Sequence, residues 1–345
     1  ELETQLAQLE SLLQTQAERS EGLLRCQQRA AELAAQLARW QQPGDADWVR
    51  WVEVFSHGMQ LNRTPLAVDN LFRKQVEGNA KAWVFTSATL AVDGNFQHFC
   101  GELGLDDAAT GCWDSPFDYK SQALLYVPKQ MPQPNSAEFT QAVVEQAWPA
   151  LLASQGRAFL LFTSLRAMRE AYELAKRRFD EQQLDYPLLL QGEGSRTELL
   201  EKFRTSPHAV LVASQTFWEG VDVRGDALQL VVIDKLPFAP PDDPVLAARV
   251  EQMNKAGRNP FMEFQLPRAA ITLKQGAGRL IRDETDRGVL IICDTRLVDK
   301  PYGKKIWKSL PPMLKTRDAS VIPRFFAQSI ESSGEAVDSP ATDPI

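Results

Sequence analysis

The chain has 345 residues, 44% of them hydrophobic, enough to bury a full core and make one large domain with an appendage. A net charge of −7 excludes a protein that holds nucleic acid by bulk charge alone, though not one with a local basic track. Four scattered cysteines (Cys26, Cys100, Cys112, Cys293) exclude a disulfide frame or a metal site within the chain and suit reduced thiols in a cytoplasmic protein.

No apolar run approaches the roughly 20 residues a membrane span needs. The first residue, Glu1, lies inside a helical pattern, which reads as a segment of a longer protein. Residues 1–40 form one helix with a heptad-like seam, in which eight of eleven positions from Leu2 to Leu37 are apolar. Polar breaks at Gln16, Ser20 and Gln27 argue against a free-standing coiled coil. The cluster Pro43-Gly44-Asp45 stops the helix.

A hairpin follows, from Trp48 to Val54, through a turn at Ser56-His57-Gly58, and back over Met59 to Thr64. A short helix near 66–77 leads to a strand at Ala82–Phe85, which ends in Thr86-Ser87-Ala88-Thr89-Leu90. Residues 91–135 are irregular and rich in Gly, Asp and Pro, with one short strand near Ala123–Val127. From about 136 helices and strands alternate: helix 137–154, strand 158–162, helix 165–181, strand 187–191, helix 196–204, and strands at 209–213 and 228–233. A rigid loop over Ala239–Pro244, a helical region from 261 to 281 and a strand at 288–293 complete the pattern. Continuous apolar strands between helices imply a doubly wound α/β domain with a parallel sheet. In such a fold the ligand site is expected at the carboxyl ends of the strands. Residues 300–317 carry six Lys or Arg and no acidic residue, a basic track that is also what a solvated face looks like. The small, acidic end reads as a disordered tail.

The sharpest chemical signal is Gln275-Gly276-Ala277-Gly278-Arg279-Leu280-Ile281-Arg282. On a helix, Gln275, Arg279 and Arg282 at i, i+4 and i+7 would share one face, and the small residues between them would let a second surface approach. Two arginines fixed toward one cleft suit a transferring phosphoryl group, because its transition state spreads charge over three oxygens. Asp283-Glu284-Thr285-Asp286 lacks an apolar strand before it and is rejected as a catalytic acidic box.

The run resembles motif VI of superfamily 2 helicases, and three further matches stand upstream in the family's order. Ser87-Ala88-Thr89-Leu90 resembles motif III, Leu161-Phe162-Thr163-Ser164 motif IV, and Gln215-Thr216-Phe217-Trp218-Glu219-Gly220-Val221-Asp222 motif V. Each alone is weak, but four in order form a specific constellation. The W-E-G-V-D form, Val232-Ile233-Asp234-Lys235-Leu236-Pro237-Phe238 and Arg63-Thr64-Pro65-Leu66 resemble the XPD/DinG branch of iron–sulfur DNA helicases.

The resemblance implies a RecA-like second motor domain with a remnant of a helical arch. Its boundaries would be an arch segment at 1–45, the end of a first RecA-like domain at 46–95 and a linker at 96–135. The second RecA-like domain would cover 136–330, and an acidic tail 331–345. By carry-over, Arg279 and Arg282 meet the γ-phosphate, with one of them the arginine finger, and Gln275 positions water or couples. Glu219, Gly220, Asp222 and Gly278 line the nucleotide cleft, and Ser87, Ala88 and Thr89 couple nucleotide state to strand grip. Thr163, Ser164, Gln191 and Thr216 hold single-stranded DNA, and Arg296 is a further candidate for phosphate.

No G-x-x-x-x-G-K-[ST] loop and no DEAH box occurs in the sequence. ATP and Mg²⁺ would therefore be held mainly by another part of the protein, as would the family's 4Fe-4S cluster, and this chain alone is not expected to hydrolyse ATP. The resemblance implies 5′-to-3′ movement on DNA in repair or replication. An alternative from another class is a docking module, through the tail, the basic run and Pro311-Pro312, for which the resemblance implies the chi subunit of the polymerase III clamp loader.

Overall fold

In the computed structural model the described residues are 1–42, 47–78, 81–217, 223 and 225–334, and the side chains of 216 and 328–334 are not among them. The chain divides into two units. One comprises Glu1–Lys81, Glu102–Leu105 and Pro240–Pro260, and the other Ala82–Gly101, Asp106–Ala239 and Phe261–Ile345.

In the first unit the expected single helix is two, α1 (Leu2–Gln14) and α2 (Glu21–Gln41), packed on each other. The break falls at the polar seam positions. Ser20 adopts an extended backbone and its hydroxyl accepts from the Leu23 amide at 3.2 Å, so this residue caps a new helix rather than interrupting an old one. The hairpin forms as expected from β1 (Trp48–Phe55) and β2 (Gly58–Pro65), closed by Ser56-His57. Trp40 on α2 donates to the Asn62 carbonyl at 3.0 Å, which seats α2 on β2. A short helix, α3 (Asp69–Glu77), follows.

The expected strand at Ala82–Phe85 is not one: among the described residues no ladder partner lies beside it, and Val84 is 81% exposed. An apolar run becomes a strand only when a neighbour takes its hydrogen bonds. Two small helices, α4 (Gln97–Leu103) and α5 (Tyr119–Gln122), precede β3 (Ala123–Tyr126). Then come α6 (Phe139–Ala153), β4 (Ala158–Phe162), α7 (Leu165–Gln182), β5 (Leu188–Leu190), α8 (Arg196–Thr205), β6 (Val210–Ser214) and β7 (Leu230–Ile233). The proline-rich loop ends in a helix, α9 (Pro244–Lys255), which belongs to the first unit. Asp243 caps it by accepting from Val245 and Leu246, and Pro244 occupies the first turn, where its missing N–H costs nothing. A turn of π-helix at Phe261–Gln265 leads into α10 (Leu266–Ala277), then β8 (Gly288–Ile292), α11 (Arg296–Asp299) and α12 (Gly303–Ser309). The chain closes with β9 (Leu314–Thr316) and α13 (Val321–Gly334).

Seven strands form one parallel sheet in the order β5-β6-β4-β7-β8-β3-β9. This is the doubly wound architecture the alternation implies. Because side chains alternate across a strand, each strand feeds two cores. Phe159, Leu161, Leu211, Val231 and Leu290 meet α8, α10 and α12 on one face. Leu160, Phe162, Val212, Val232 and Ile291 meet α6, α7 and α13 on the other. Burying both faces explains why these strands are unbroken apolar runs, each large side chain contributing about 1.5–3 kcal/mol. β3 and β9, from stretches read as linker and basic track, complete the far edge. α13 reaches into the first residues of the expected tail, and 335–345 lie outside the described residues.

Candidate functional site

The candidate residues gather at two opposite edges of the sheet in the second unit. At the amino edge, α10 returns from the end of β7 toward the start of β8 and stops at Ala277. The expected helix through Arg282, with three polar side chains on one face, is therefore not present. Gly276 and Gly278 weaken the last turn, and the Arg279 and Leu280 amides fold back on Gly276 and Ala277 carbonyls at 3.2 and 3.3 Å. Leu280 and Ile281 then turn into the core at 2% and 1% exposure. Gln275 lies in the last turn of the helix, Gly278 is its C-cap, and Arg279 and Arg282 lie on the connecting loop.

Motif III meets this loop. The Gln275 Nε2 donates to Thr89 Oγ1 at 3.4 Å across 186 residues of sequence. Ser87 Oγ bonds Thr89 Oγ1 at 3.1 Å and accepts from the Thr89 amide at 3.2 Å, so Ser87-Ala88-Thr89 is a self-bonded turn. The dismissed acidic run has a structural role. Asp286, 6% exposed, accepts from the amides of Arg282 at 2.6 Å and Asp283 at 2.8 Å, and from Gly225 at 3.1 Å. Gln122 Nε2 donates to the carbonyls of Asp283, Glu284 and Asp286 at 2.9–3.0 Å. Arg282 also lies near enough to Tyr119 to oppose the rise that burial imposes on that phenol's pKa.

At the carboxyl edge, β4, β5 and β6 end side by side and bring Thr163, Ser164, Gln191 and Ser214 together. Thr163 spends both amide and hydroxyl on Asp234, at 2.9 and 3.2 Å. Ser164 is the N-cap of α7, its hydroxyl accepting from Ala167. The Gln191 carbonyl accepts from the Ser214 amide at 2.7 Å and from its hydroxyl at 3.0 Å. Beside Gln191 a cleft of ≈ 320 Å³ is lined by Gly192, Gly194, Arg196, Leu199 and Phe217. Its wall is set by a reciprocal cap between Ser195 and Glu198 that starts α8. Arg196 donates to the Phe217 carbonyl at 2.9 Å.

Glu219, Gly220 and Asp222, with Trp218, lie outside the described residues, as does the Thr216 side chain. The two edges correct the expectation of a site at the carboxyl ends alone: the motif IV residues stand there, and the motif VI arginines stand at the opposite edge. Among the described residues no cluster of His, Cys, Asp or Glu is arranged to hold a metal, and all four cysteines are free thiols. No described helix is long and apolar enough to cross a membrane.

Sequence reasoning gave no role to Asp234, Asp286, Asp294 or Gln122. The signal for two of them was an aspartate placed directly after an apolar strand, as in Val231-Val232-Ile233-Asp234 and Leu290-Ile291-Ile292-Cys293-Asp294. Asp294, fully buried, accepts from the Leu236 amide at 2.9 Å and from Arg296 Nη2 at 2.6 Å, and this pairing raises the Arg296 pKa. Burial, reinforced by Asp234 and Asp294, pushes the Cys293 thiol up, so it is an inert core residue.

Asp234 has its pKa pushed from 3.8 to about 6 by burial, against the lowering effects of Lys235 and the Thr163 bonds. Because the folded pKa lies above the unfolded one, the folded chain takes up this proton first. The Asp234 contribution to stability therefore grows as pH falls from about 6 toward 4 and declines as pH rises. Asp234→Asn should remove that slope, a difference on the order of 2–3 kcal/mol across the window. Urea denaturation of both proteins at pH 4.5 and 7.5 measures it, and equal slopes would rule out a buried titrating carboxyl.

Residues 148–313 match the helicase C-terminal domain family. The chain is 46% identical over 298 residues to the ATP-dependent DNA helicase YoaA of Haemophilus influenzae, covering 86% of this chain and 46% of that protein. It is 45% identical over 300 residues to YoaA of Escherichia coli strain K12, covering 87% and 46%. The ATP-dependent helicase DinG of Mycobacterium tuberculosis H37Rv is 38% identical over 272 residues, or 76% of this chain and 39% of that protein. The chain thus spans about half the length of the curated relatives it matches. Among solved structures an XPD helicase superposes with a TM-score of 0.55 at 15% identity, over 88% of this chain and 55% of that one, a likeness of fold.

Proposed function

Since the chain belongs to the XPD/DinG type of helicase and corresponds to its C-terminal region, we propose that it is the second motor domain of an ATP-dependent DNA helicase that moves 5′ to 3′ on single strands in repair or replication. The observation that carries this reading is the meeting of Gln275 with Thr89 beside the loop of Arg279 and Arg282. A motor must link nucleotide state to grip on the strand, and here the residue pair read as coupling is in direct hydrogen-bond contact.

In this reading Arg279 and Arg282 answer the charge that develops on the γ-phosphoryl group, as planar, permanently charged donors. Glu219, Gly220, Asp222 and Gly278 line the same cleft, and Mg²⁺ is held by the part of the protein outside this chain. Thr163, Ser164, Gln191 and Thr216 hold the strand. Their adjacent placement at the ends of β4, β5 and β6, next to the cleft at Gly192 and Gly194, supports that role, because backbone and small polar groups suit phosphate contacts. Asp234 keeps Thr163 in place for it. Four dispersed free thiols do not fit an iron–sulfur cluster in this chain, and they support a reducing, cytoplasmic setting.

The test is single-stranded DNA binding by the full-length protein, followed by fluorescence anisotropy. Affinity should fall at least about tenfold between 50 and 200 mM salt, without sequence preference. Arg279→Ala should leave that affinity within roughly threefold, since its task is at the nucleotide. Salt-insensitive binding, or loss of binding in Arg279→Ala, would remove the assignment.

A second reading is a docking module for a replication partner, with the chi subunit as the family's implication. In its favour, α12 exposes Lys304, Lys305 and Lys308 while burying Ile306, so the basic run forms a presented face. A pull-down with and without residues 331–345 and with these three lysines replaced separates the two readings.

A further inference from the structure

We infer that Asp286 is the positioning residue for Arg282, and that its carboxylate, with the Gln122 amide, ties the loop after α10 to the segment entering β7. The inference rests on the reading of Arg282 as a nucleotide-facing arginine. The carboxylate is almost wholly buried and takes three main-chain N–H donors, two from the loop itself and one from Gly225. Bonds to an ionised acceptor are shorter and stronger than neutral ones, and the 2.6 Å contact falls on the amide of Arg282.

Gln122 closes the other side. Sitting just before β3, it spreads its two N–H groups over the carbonyls of Asp283, Glu284 and Asp286. The backbone from 282 to 286 is thereby held through both its donors and its acceptors. At Gly288, two residues on, a Cβ would lie 2.6 Å from the Gln229 carbonyl, so the chain must pass β7 in close contact. A surface turn needs none of this.

The link to Gly225 gives the brace its functional sense. Gly225 lies three residues beyond Asp222, the end of the motif V run, at a positive φ of 68° that favours glycine. One carboxylate thus joins the two segments read as lining the nucleotide cleft. Charge stabilisation of a transition state depends on donors held in place before the reaction, and a displacement of about 1 Å at such a group costs about a hundredfold in rate.

The experiment compares Asp286→Asn, Gln122→Ala, Arg282→Ala and the two double variants with Arg282→Ala, all in the full-length protein. Amide hydrogen exchange, read residue by residue, should speed up at Arg282, Asp283 and Gly225 by about tenfold in Asp286→Asn, with β8 unchanged. For DNA-stimulated ATP hydrolysis, kcat should fall about tenfold with KM for ATP and DNA affinity within roughly threefold. Each brace variant should add nothing once Arg282 is alanine. Unchanged exchange at the three amides, or kcat losses that multiply with that of Arg282→Ala, would overturn the inference. If Asp286→Asn does not fold, Gln122→Ala carries the same cycle and the same exchange measurement. If Arg282→Ala leaves hydrolysis intact, the nucleotide reading fails, and the exchange result still decides whether the brace exists.

Discussion

Replacing Arg279 and Arg282 singly by alanine in the full-length protein should lower kcat for ATP hydrolysis sharply, one of them by about a thousandfold. That is the scale on which an arginine finger contributes to phosphoryl transfer. The other, acting through binding or coupling, should lose about ten- to a hundredfold. The larger loss marks the arginine finger. Both sit on the loop between α10 and β8, three residues apart, with Gln275 at the end of α10 bonded to Thr89. Lysine should not rescue the larger loss, because a point charge cannot reproduce two parallel donors on adjacent oxygens. Single-turnover hydrolysis with saturating DNA is the measurement. Losses below about threefold in both variants would mean that the motif VI arginines do not act on the transferring group.

The second large effect concerns stability. Asp294→Ala should destabilise the chain by about 3 kcal/mol, read as a fall in the urea midpoint. The Asp294 side chain is fully buried, and it accepts from the Leu236 amide and from three groups of Arg296: the amide at 3.1 Å, Nε at 2.9 Å and Nη2 at 2.6 Å. Removing it leaves a buried N–H unpaired and a guanidinium without its counter-charge. Because the Arg296 side chain is 33% exposed and can rehydrate, the figure sits at the low end for a broken buried pair. Asp294→Ala combined with Arg296→Leu should recover about half of it. A midpoint shift equivalent to less than about 1 kcal/mol would show that water already serves these donors.

What could be read in the sequence follows a physical division. Strands buried on both faces, such as Ala158–Phe162 and Gly288–Ile292, are continuous apolar runs with clear ends, and they were located to within a residue or two. The order of the four motifs rests on residue identity and needs no geometry. Ala82–Phe85 has the composition of a strand, but ladder partners are a non-local matter. Residues 275–282 have helical spacing, but two glycines and the burial of Leu280 and Ile281 outweigh it. Ser20 was counted as a flaw in a seam because an N-cap and a seam break are the same residue type until the backbone is known. The carboxylates of Asp234, Asp286 and Asp294 each take a main-chain donor 58 to 71 residues away. Periodicity carries no such information. The motifs assign Thr163 and Arg282 different tasks, and only the parallel sheet shows that they stand at opposite ends of the strands.

The position of β3 has a consequence for how the sheet is made. It is the earliest strand of the seven, yet both its neighbours, β8 and β9, are the latest. Emerging from a ribosome, Ala123–Tyr126 would have no ladder to join until some 160 further residues had followed. Both of its ladder partners are distant in sequence, and their loop-closure entropy is spent before any ladder hydrogen bond is gained. The five strands between 158 and 292 can assemble among themselves, with β3 joining beside β8 and β9 then covering its outer side. Four positions that end up buried therefore wait for their ladder while the strands up to β8 are made, which makes this strand a point where a slow or interrupted chain is open to wrong pairing.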